Sequence, residues 1–384
     1  MVEWNEEERM LLEMVRKFTK QKLAPSAQQY EKDACFDRAH WNEMGDLGLT
    51  GLPVSAEFGG SGMSLSILAA VVEDLAKGSS ALAASFLVHS TVTYLIQRFG
   101  TDMQKSTYLP ELVSGRRLAA LAITEPGAGS DMSAISTTAV RNDEHYVLDG
   151  QKIFITSGGA AQLYLVMTKT DLKGGAKGLT AFLVDPDLPG FVVGRIEDKM
   201  GQAACPTAQL FFENLTVPAT NRLGEEGQGF SLIMTGLNRS RILVAAASVG
   251  LAQAAFDVAL AYASERKQFN RTIIENQGIR WMFAKMATSI EASRLMAYHA
   301  AGLADMKRPF VKEAAMAKAL GSDTAMDVTT DCVQILGGYG YIKDFPVERF
   351  MREAKLMQIV EGTNQIQLEI IFRELWQAEG KDQR

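Results

Sequence analysis

A single carboxylate stands out in Gln358-Ile-Val-Glu-Gly-Thr-Asn-Gln-Ile-Gln367, because Glu361 lies at the mouth of a helix rather than on a solvated face. The chemistry open to it there is proton transfer as a general base. By itself the pattern is also an ordinary helix start, with Thr363 capping and Glu361 complementing the dipole. Far upstream, Ala122-Ile-Thr-Glu-Pro-Gly-Ala-Gly-Ser-Asp131 leaves a β run with two glycines, a proline and two hydroxyls. That composition exposes backbone N–H groups to an anion or a ring edge, and is equally common as a structural loop. Arg241 stands amid Ile, Leu, Val and Ala, so it needs an anionic partner. Asn238 precedes Arg241 by three residues on the same helix, and Arg266 and Phe269 repeat that spacing near the helix end, so each pair is expected to share a face.

These residues need elements to hold them. From residue 5 to about 115, apolar residues recur at helical spacing, punctuated by Pro25, Gly59-Gly60 and Gly78. From about 118 to 220 the texture changes to short β-rich runs at 137–141, 146–148, 152–156, 163–168, 179–184, 191–195 and 209–212. Turn signals at Asn142-Asp143, Asp149-Gly150 and Lys173-Gly-Gly175 separate them. Strand follows strand without intervening helices, which predicts an antiparallel β domain and excludes a Rossmann unit. After Gly224-Glu-Glu-Gly-Gln-Gly229, a strand-to-helix connector that needs no ligand, helical spacing returns almost to the end. The stretch from Phe230 to about Arg266 is apolar nearly all round and reads as a central helix covered by other helices or a second subunit. The chain is thus α+β: an all-α N-terminal domain over 1–117, an antiparallel β middle domain over 118–227, and an all-α C-terminal helical bundle over 228–384.

The 384 residues are enough for several packed subdomains. Hydrophobic content of 47% excludes a disordered chain, and a net charge of -6 argues against nucleic acid as a partner. Cys35, Cys205 and Cys332 show no CxxC spacing and read as reduced thiols. The four histidines are scattered, so no metal site is expected. The acidic start Met1-Val-Glu-Trp-Asn-Glu-Glu-Glu is unlike a signal or transit peptide, which points to the cytoplasm, a mature mitochondrial matrix form being the alternative. The most apolar stretches, such as 242–263, favour small residues and carry Gln253 and Asp257, so they read as buried helices rather than membrane spans.

Taken in order and spacing, the 122–131 loop, Glu265-Arg-Lys-Gln-Phe269, Gln334-Ile-Leu-Gly-Gly-Tyr-Gly340 and the Glu361 segment resemble the acyl-CoA dehydrogenase family, from about residue 5 to about 376. The resemblance implies bound FAD, an acyl-CoA substrate and a homotetramer. It implies that Ile123, Thr124 and Ser130 contact the flavin, with Ser130 also near the substrate, and that Thr156 bonds the ring near its reactive nitrogen. Phe154 stands where the family usually has Trp, so the aromatic wall is kept and the indole N–H is lost. The resemblance sets Arg266, Phe269, Gln334 and Gly338 against the FAD of a neighbouring subunit, with Thr363 and Gln365 also at the cofactor. Asn238, Arg241, Val360 and Gly362 fall at substrate positions, Asn238 where many relatives have Asp. Lys199-Met-Gly lacks the Arg and Ser that usually follow, so no function is assigned to that loop.

On this resemblance Glu361 removes the α proton while the β hydride passes to the flavin. The Glu361 backbone N–H and a flavin ribityl hydroxyl stabilise the thioester oxygen, and electrons leave to an electron-transferring flavoprotein. The alternatives are an acyl-CoA oxidase or flavin monooxygenase on the same scaffold, or a non-catalytic scaffold or assembly member. Many straight-chain relatives carry Tyr at the position of Val360. Val leaves room beside the α and β carbons, which implies a preference for short branched, cyclic or aryl-substituted acyl groups.

Overall fold

The computed structural model describes residues 3–378 and residue 380. Helix α1 (Glu6–Phe18) starts at a capping box in which Asn5 and Glu8 exchange side-chain and backbone hydrogen bonds. Helices α2 (Ala24–Asp33), α3 (Arg38–Asp46), α4 (Leu65–Gly78), α5 (Ser80–Phe99) and α6 (Asp102–Val113) follow. Ser64 caps α4 and Ser79 caps α5, and both helices are buried on nearly every side.

Eight strands then form one sheet: β1 (Ala119–Ala122), β2 (Thr138–Asn142), β3 (His145–Thr156), β4 (Leu163–Lys169), β5 (Leu179–Val184), β6 (Phe191–Ile196), β7 (Thr207–Pro218) and β8 (Arg222–Leu223). The order is β6-β7-β3-β2-β4-β5-β8, with β1 beside β4. Most pairings are antiparallel, as the sequence predicts. The exceptions are β1, which runs parallel to β4 along Ala119–Ala122, and a parallel contact of Thr138 with Lys169. The expected turn at Asp149-Gly150 is not a turn: 146–148 and 152–156 belong to the single strand β3. Gly150, at φ 144°, sits in a register shift against β7, and a Cβ there would lie 2.6 Å from Thr137 Oγ1. A bulge bends the strand without ending it.

Helix α7 (Gly229–Glu265) spans 37 residues, about 55 Å at 1.5 Å per residue. It is long and apolar enough to cross a membrane, yet 78% of its most apolar window is buried within the protein, which makes it a core helix. A short hairpin, β9 (Lys267–Gln268) with β10 (Arg271–Thr272), leads to α8 (Gln277–Asp305), α9 (Val311–Leu336), α10 (Val347–Met357) and α11 (Asn364–Ala378). α7 packs against α4, α5, α8, α9 and α10. The α4–α7 approach depends on Gly250, where a Cβ would lie 2.1 Å from the Glu73 carbonyl oxygen.

Candidate active site

Residues 358–363 form the turn between α10 and α11, and Glu361 sits there with φ 56°, followed by Gly362 at φ 90°. A left-handed glutamate stores roughly 1–3 kcal/mol, so surrounding bonds must hold it. The Glu361 carbonyl accepts from Arg241 Nε and from Gln367 Nε2, each at 3.3 Å, and Gln367 Nε2 also donates to the Gly362 carbonyl at 2.8 Å. Asp323 on α9 fastens both ends of the turn: its Oδ1 accepts from Gln358 Nε2 at 2.6 Å and from Asn364 Nδ2 at 2.7 Å. Among the described residues the Glu361 N–H has no acceptor, so it is free to donate to a ligand oxygen.

The Glu361 carboxyl is desolvated although the residue as a whole is only half-buried. Its Oε2 is buried without a hydrogen-bond partner, and so is Ser240 Oγ on α7. Burial pushes the carboxyl above the usual carboxylate range, against the Ser240 hydroxyl and the charges of Arg241 and Lys318. Because neither oxygen completes a hydrogen bond, Ser240 acts only as a nearby dipole, and desolvation prevails. Lys318 on α9 is fully buried and donates to Asn364 Oδ1 at 2.8 Å. Burial lowers its ammonium to about 8, opposed by Glu361 and Asp323. Arg241 is 3% exposed, and its Nη1 donates to Asn238 Oδ1 at 2.7 Å, so this pair does share a helix face. Val360 packs against the main hydrophobic core.

Of the remaining candidates, one set belongs to the β domain, and of the other only Arg266 and Gly338 share a cleft. In the β domain, the Ile123 carbonyl accepts from Lys152 Nζ at 3.0 Å and the Thr124 carbonyl from the Ile153 N–H at 2.9 Å, which ties the 122–131 loop to β3. Phe154 lies in a second register shift of β3, at φ 58°, and is 59% exposed. The bulge turns an aromatic face outward, next to Thr156 at the strand end. Ser130 lies exposed at the end of the loop, and no Cβ at Gly127 or Gly129 would meet another atom, so this backbone is open to a ligand.

The cleft, of about 520 Å³, is lined by Arg266, Tyr262, Gly338 and Tyr339. Arg266 stacks over Tyr339 at 5.7 Å. The expectation that Arg266 and Phe269 share a helix face is overturned, because α7 ends at Glu265 and Arg266 is already extended. Phe269 and Asn270 occupy the turn of the β9–β10 hairpin with φ 53° and 61°, and Phe269 projects to solvent at 93% exposure. Gln334 is exposed in the last turn of α9, and Gln365 is exposed in the first turn of α11.

Sequence reasoning missed the buried Glu125–Lys152 pair. Glu125 Oε1 accepts from Lys152 Nζ at 2.7 Å and from the Thr137 N–H at 3.0 Å, while Oε2 accepts from the Ser136 N–H and Oγ, each at 2.7 Å. Burial alone would push this carboxyl up, but the Lys152 ammonium and the Thr137 and Ser136 donors together hold it down, to about 2. It also missed Asp323, Gln367 and Lys318; a lone Lys in the small-residue run Ala314-Ala-Met-Ala-Lys318-Ala-Leu-Gly321 was a usable signal for the last. In the Lys199 loop, Lys199 Nζ donates to Thr207 Oγ1 at 2.8 Å, and Arg352 Nη1 donates to the Met200 carbonyl at 2.6 Å.

Models of the acyl-CoA dehydrogenase N-terminal, middle and C-terminal domains match residues 5–116, 120–215 and 227–376. The chain belongs to the acyl-CoA dehydrogenase family. It is 44% identical over 371 residues to an acyl-CoA dehydrogenase of Bacillus subtilis, covering 96% of this chain and 98% of the relative. It is similar to butyryl-CoA dehydrogenase from Megasphaera elsdenii, with a TM-score of 0.96, 40% identity, and 98% and 99% of the two chains covered. A chain from a structure of the electron transferring flavoprotein of Acidaminococcus fermentans matches with a TM-score of 0.96, 42% identity, and 98% and 99% coverage. Complexes with FAD are among the solved neighbours, and the cofactor of this acyl-CoA dehydrogenase family member is FAD. The outward Phe154 face, the open glycine loop and the Arg266 cleft fit a planar ring joined to a pyrophosphate.

Proposed function

We propose that this enzyme removes hydrogen from the α and β carbons of a short acyl-CoA to give a trans-2-enoyl-CoA, with Glu361 as the base. The observation that carries the reading is the Glu361 turn, where a desolvated carboxyl and an unpaired backbone N–H are fixed on the same residue. The N–H donates to the thioester oxygen, which acidifies the α carbon, and the carboxylate takes the α proton. Bound FAD supplies the acceptor for the β hydride, and the electrons leave to an electron-transferring flavoprotein, the class of protein that the Acidaminococcus structure is named for.

Ile123, Thr124, Ser130, Phe154 and Thr156 hold the ring end of FAD, and Thr363 and Gln365 flank it. Arg266, Phe269, Gln334 and Gly338 hold the far end of the FAD of a second subunit in a homotetramer. Phe269 at the hairpin tip, with the exposed Trp281, Tyr341, Leu368 and Phe372, supplies apolar surface for such an assembly. Asn238 and Arg241 hold the CoA and adenine portion of the substrate. Val360, half-buried against the core, leaves space beside the reacting carbons for branched or cyclic acyl groups. The thiols of Cys35, Cys205 and Cys332 are unpaired, which suits a cytoplasmic enzyme.

Anaerobic titration of the yellow holoenzyme with butyryl, isobutyryl, 2-methylbutyryl and cyclohexanoyl thioesters tests the reading. Bleaching of the flavin with formation of the 2-enoyl product is expected. A flavin that no thioester bleaches would reject it.

A further inference from the structure

The Glu361 turn is closed by a backbone bond, the Asn364 N–H donating to the Gln358 carbonyl at 3.1 Å. That bond does not by itself set the conformation inside the loop, where Glu361 at φ 56° and Gly362 at φ 90° are consecutive left-handed residues. Glycine adopts this region freely, whereas a glutamate leaves it unless its neighbours hold it there. A return of Glu361 to the right-handed region would swing its carboxyl and its N–H together out of their present directions.

The restraints on the turn are unequal. Arg241 Nε and Gln367 Nε2 reach the Glu361 carbonyl only at 3.3 Å, just past the usual range, and Gln367 Nε2 gives its shorter bond, 2.8 Å, to the Gly362 carbonyl. The bonds to Asp323 Oδ1, 2.6 Å from Gln358 Nε2 and 2.7 Å from Asn364 Nδ2, are short and charge-assisted, a kind roughly twice as strong as neutral bonds. Both amides are turned to make them. Lys355 Nζ, which can only donate, occupies Gln358 Oε1 at 2.9 Å, and Lys318 Nζ occupies Asn364 Oδ1 at 2.8 Å, so each amide presents its NH2 group to Asp323. Asp323 itself is exposed, so loss of its side chain opens no cavity in the core.

We propose that Asp323 is a positioning residue for the dehydrogenation. By drawing Gln358 and Asn364 to one oxygen it keeps Glu361 left-handed, with the carboxylate aimed at the α carbon and the N–H at the thioester oxygen. This rests on Glu361 being the base and adds what aims it. Placement matters steeply, since a displacement of about 1 Å at a reacting group costs on the order of a hundred-fold in rate. Because the role is one of position, an amide oxygen in the same place restores most of it.

The test is anaerobic stopped-flow reduction of the holoenzyme by whichever thioester of the series above bleaches the flavin fastest. Its concentration dependence separates the limiting rate from half-saturation. Asp323→Ala is expected to lower the limiting rate about ten-fold or more, with half-saturation within about three-fold of wild type and the thermal midpoint little changed. Asp323→Asn keeps an acceptor oxygen for both amides and is expected to recover most of the rate. Gln358→Ala removes one of the two bonds and is expected to slow reduction several-fold, which provides a second reading if Asp323→Ala does not fold. A wild-type limiting rate in Asp323→Ala or Gln358→Ala, a loss confined to half-saturation, or Asp323→Asn as slow as Asp323→Ala would overturn the inference. Near wild-type reduction in Glu361→Gln would instead reject the base assignment on which it rests.

Discussion

The Lys318 ammonium, fully buried on α9, donates to Asn364 Oδ1 at 2.8 Å, three residues beyond Glu361. This bond brings a positive charge beneath the turn that holds the base. Burial pushes the Glu361 carboxyl up, and Lys318, with Ser240 and Arg241, limits that rise. Lys318→Met removes the charge, so the carboxyl protonates at higher pH. The base works only when ionised, so the acidic limb of the kcat/KM profile is expected to move upward in pH. A pH–rate profile in the variant that superimposes on wild type would contradict this coupling.

The Glu125–Lys152 pair is expected to govern stability. Both side chains are buried, so Glu125→Ala strands an ammonium in the interior and costs about 3–5 kcal/mol, read as a lower denaturant midpoint. Adding Lys152→Met is expected to recover part of the loss. The folded carboxyl is depressed from 4.5 to about 2, so its contribution is present above the unfolded value and is lost as pH falls towards 2. Wild-type stability in the Glu125→Ala variant would contradict the pair's structural role.

Arg266→Ala is expected to release FAD and weaken assembly, because Arg266 lines the open cleft from outside the Glu361 turn. Sedimentation with absorbance detection reads both properties. An FAD-saturated monomer would exclude a cofactor site shared between subunits.

Much of this architecture was legible in the chain, and the omissions have physical causes. Apolar periodicity marked the helical regions and placed α7 to within a residue at each end, because burial on nearly every side over 240–252 leaves a long apolar run without proline. Asp149-Gly150 carries turn chemistry, but β7 continues its pairing past the bulge, so the tertiary ladder overrides the local signal. Arg266 and Phe269 satisfy helical spacing, yet the chain leaves the helix between them, and nothing in the spacing encodes the left-handed pair at Phe269-Asn270. The Gly and Thr beside Glu361 also read as an ordinary helix start, so the resemblance and not the segment alone singled it out. Its supports Lys318 and Asp323 lie more than thirty residues away on α9, and pairings at such separation leave no periodic trace.

The central claim is that Glu361 is the base, and the most direct measurement is the rate of anaerobic flavin reduction by a substrate thioester in Glu361→Gln against wild type. The amide keeps the size of the side chain and the backbone N–H, so FAD and acyl-CoA binding should persist. Loss of the carboxylate should slow reduction by about two to four orders of magnitude, the contribution of a positioned general base. Reduction of the Gln variant at near the wild-type rate would contradict the account and place the base elsewhere.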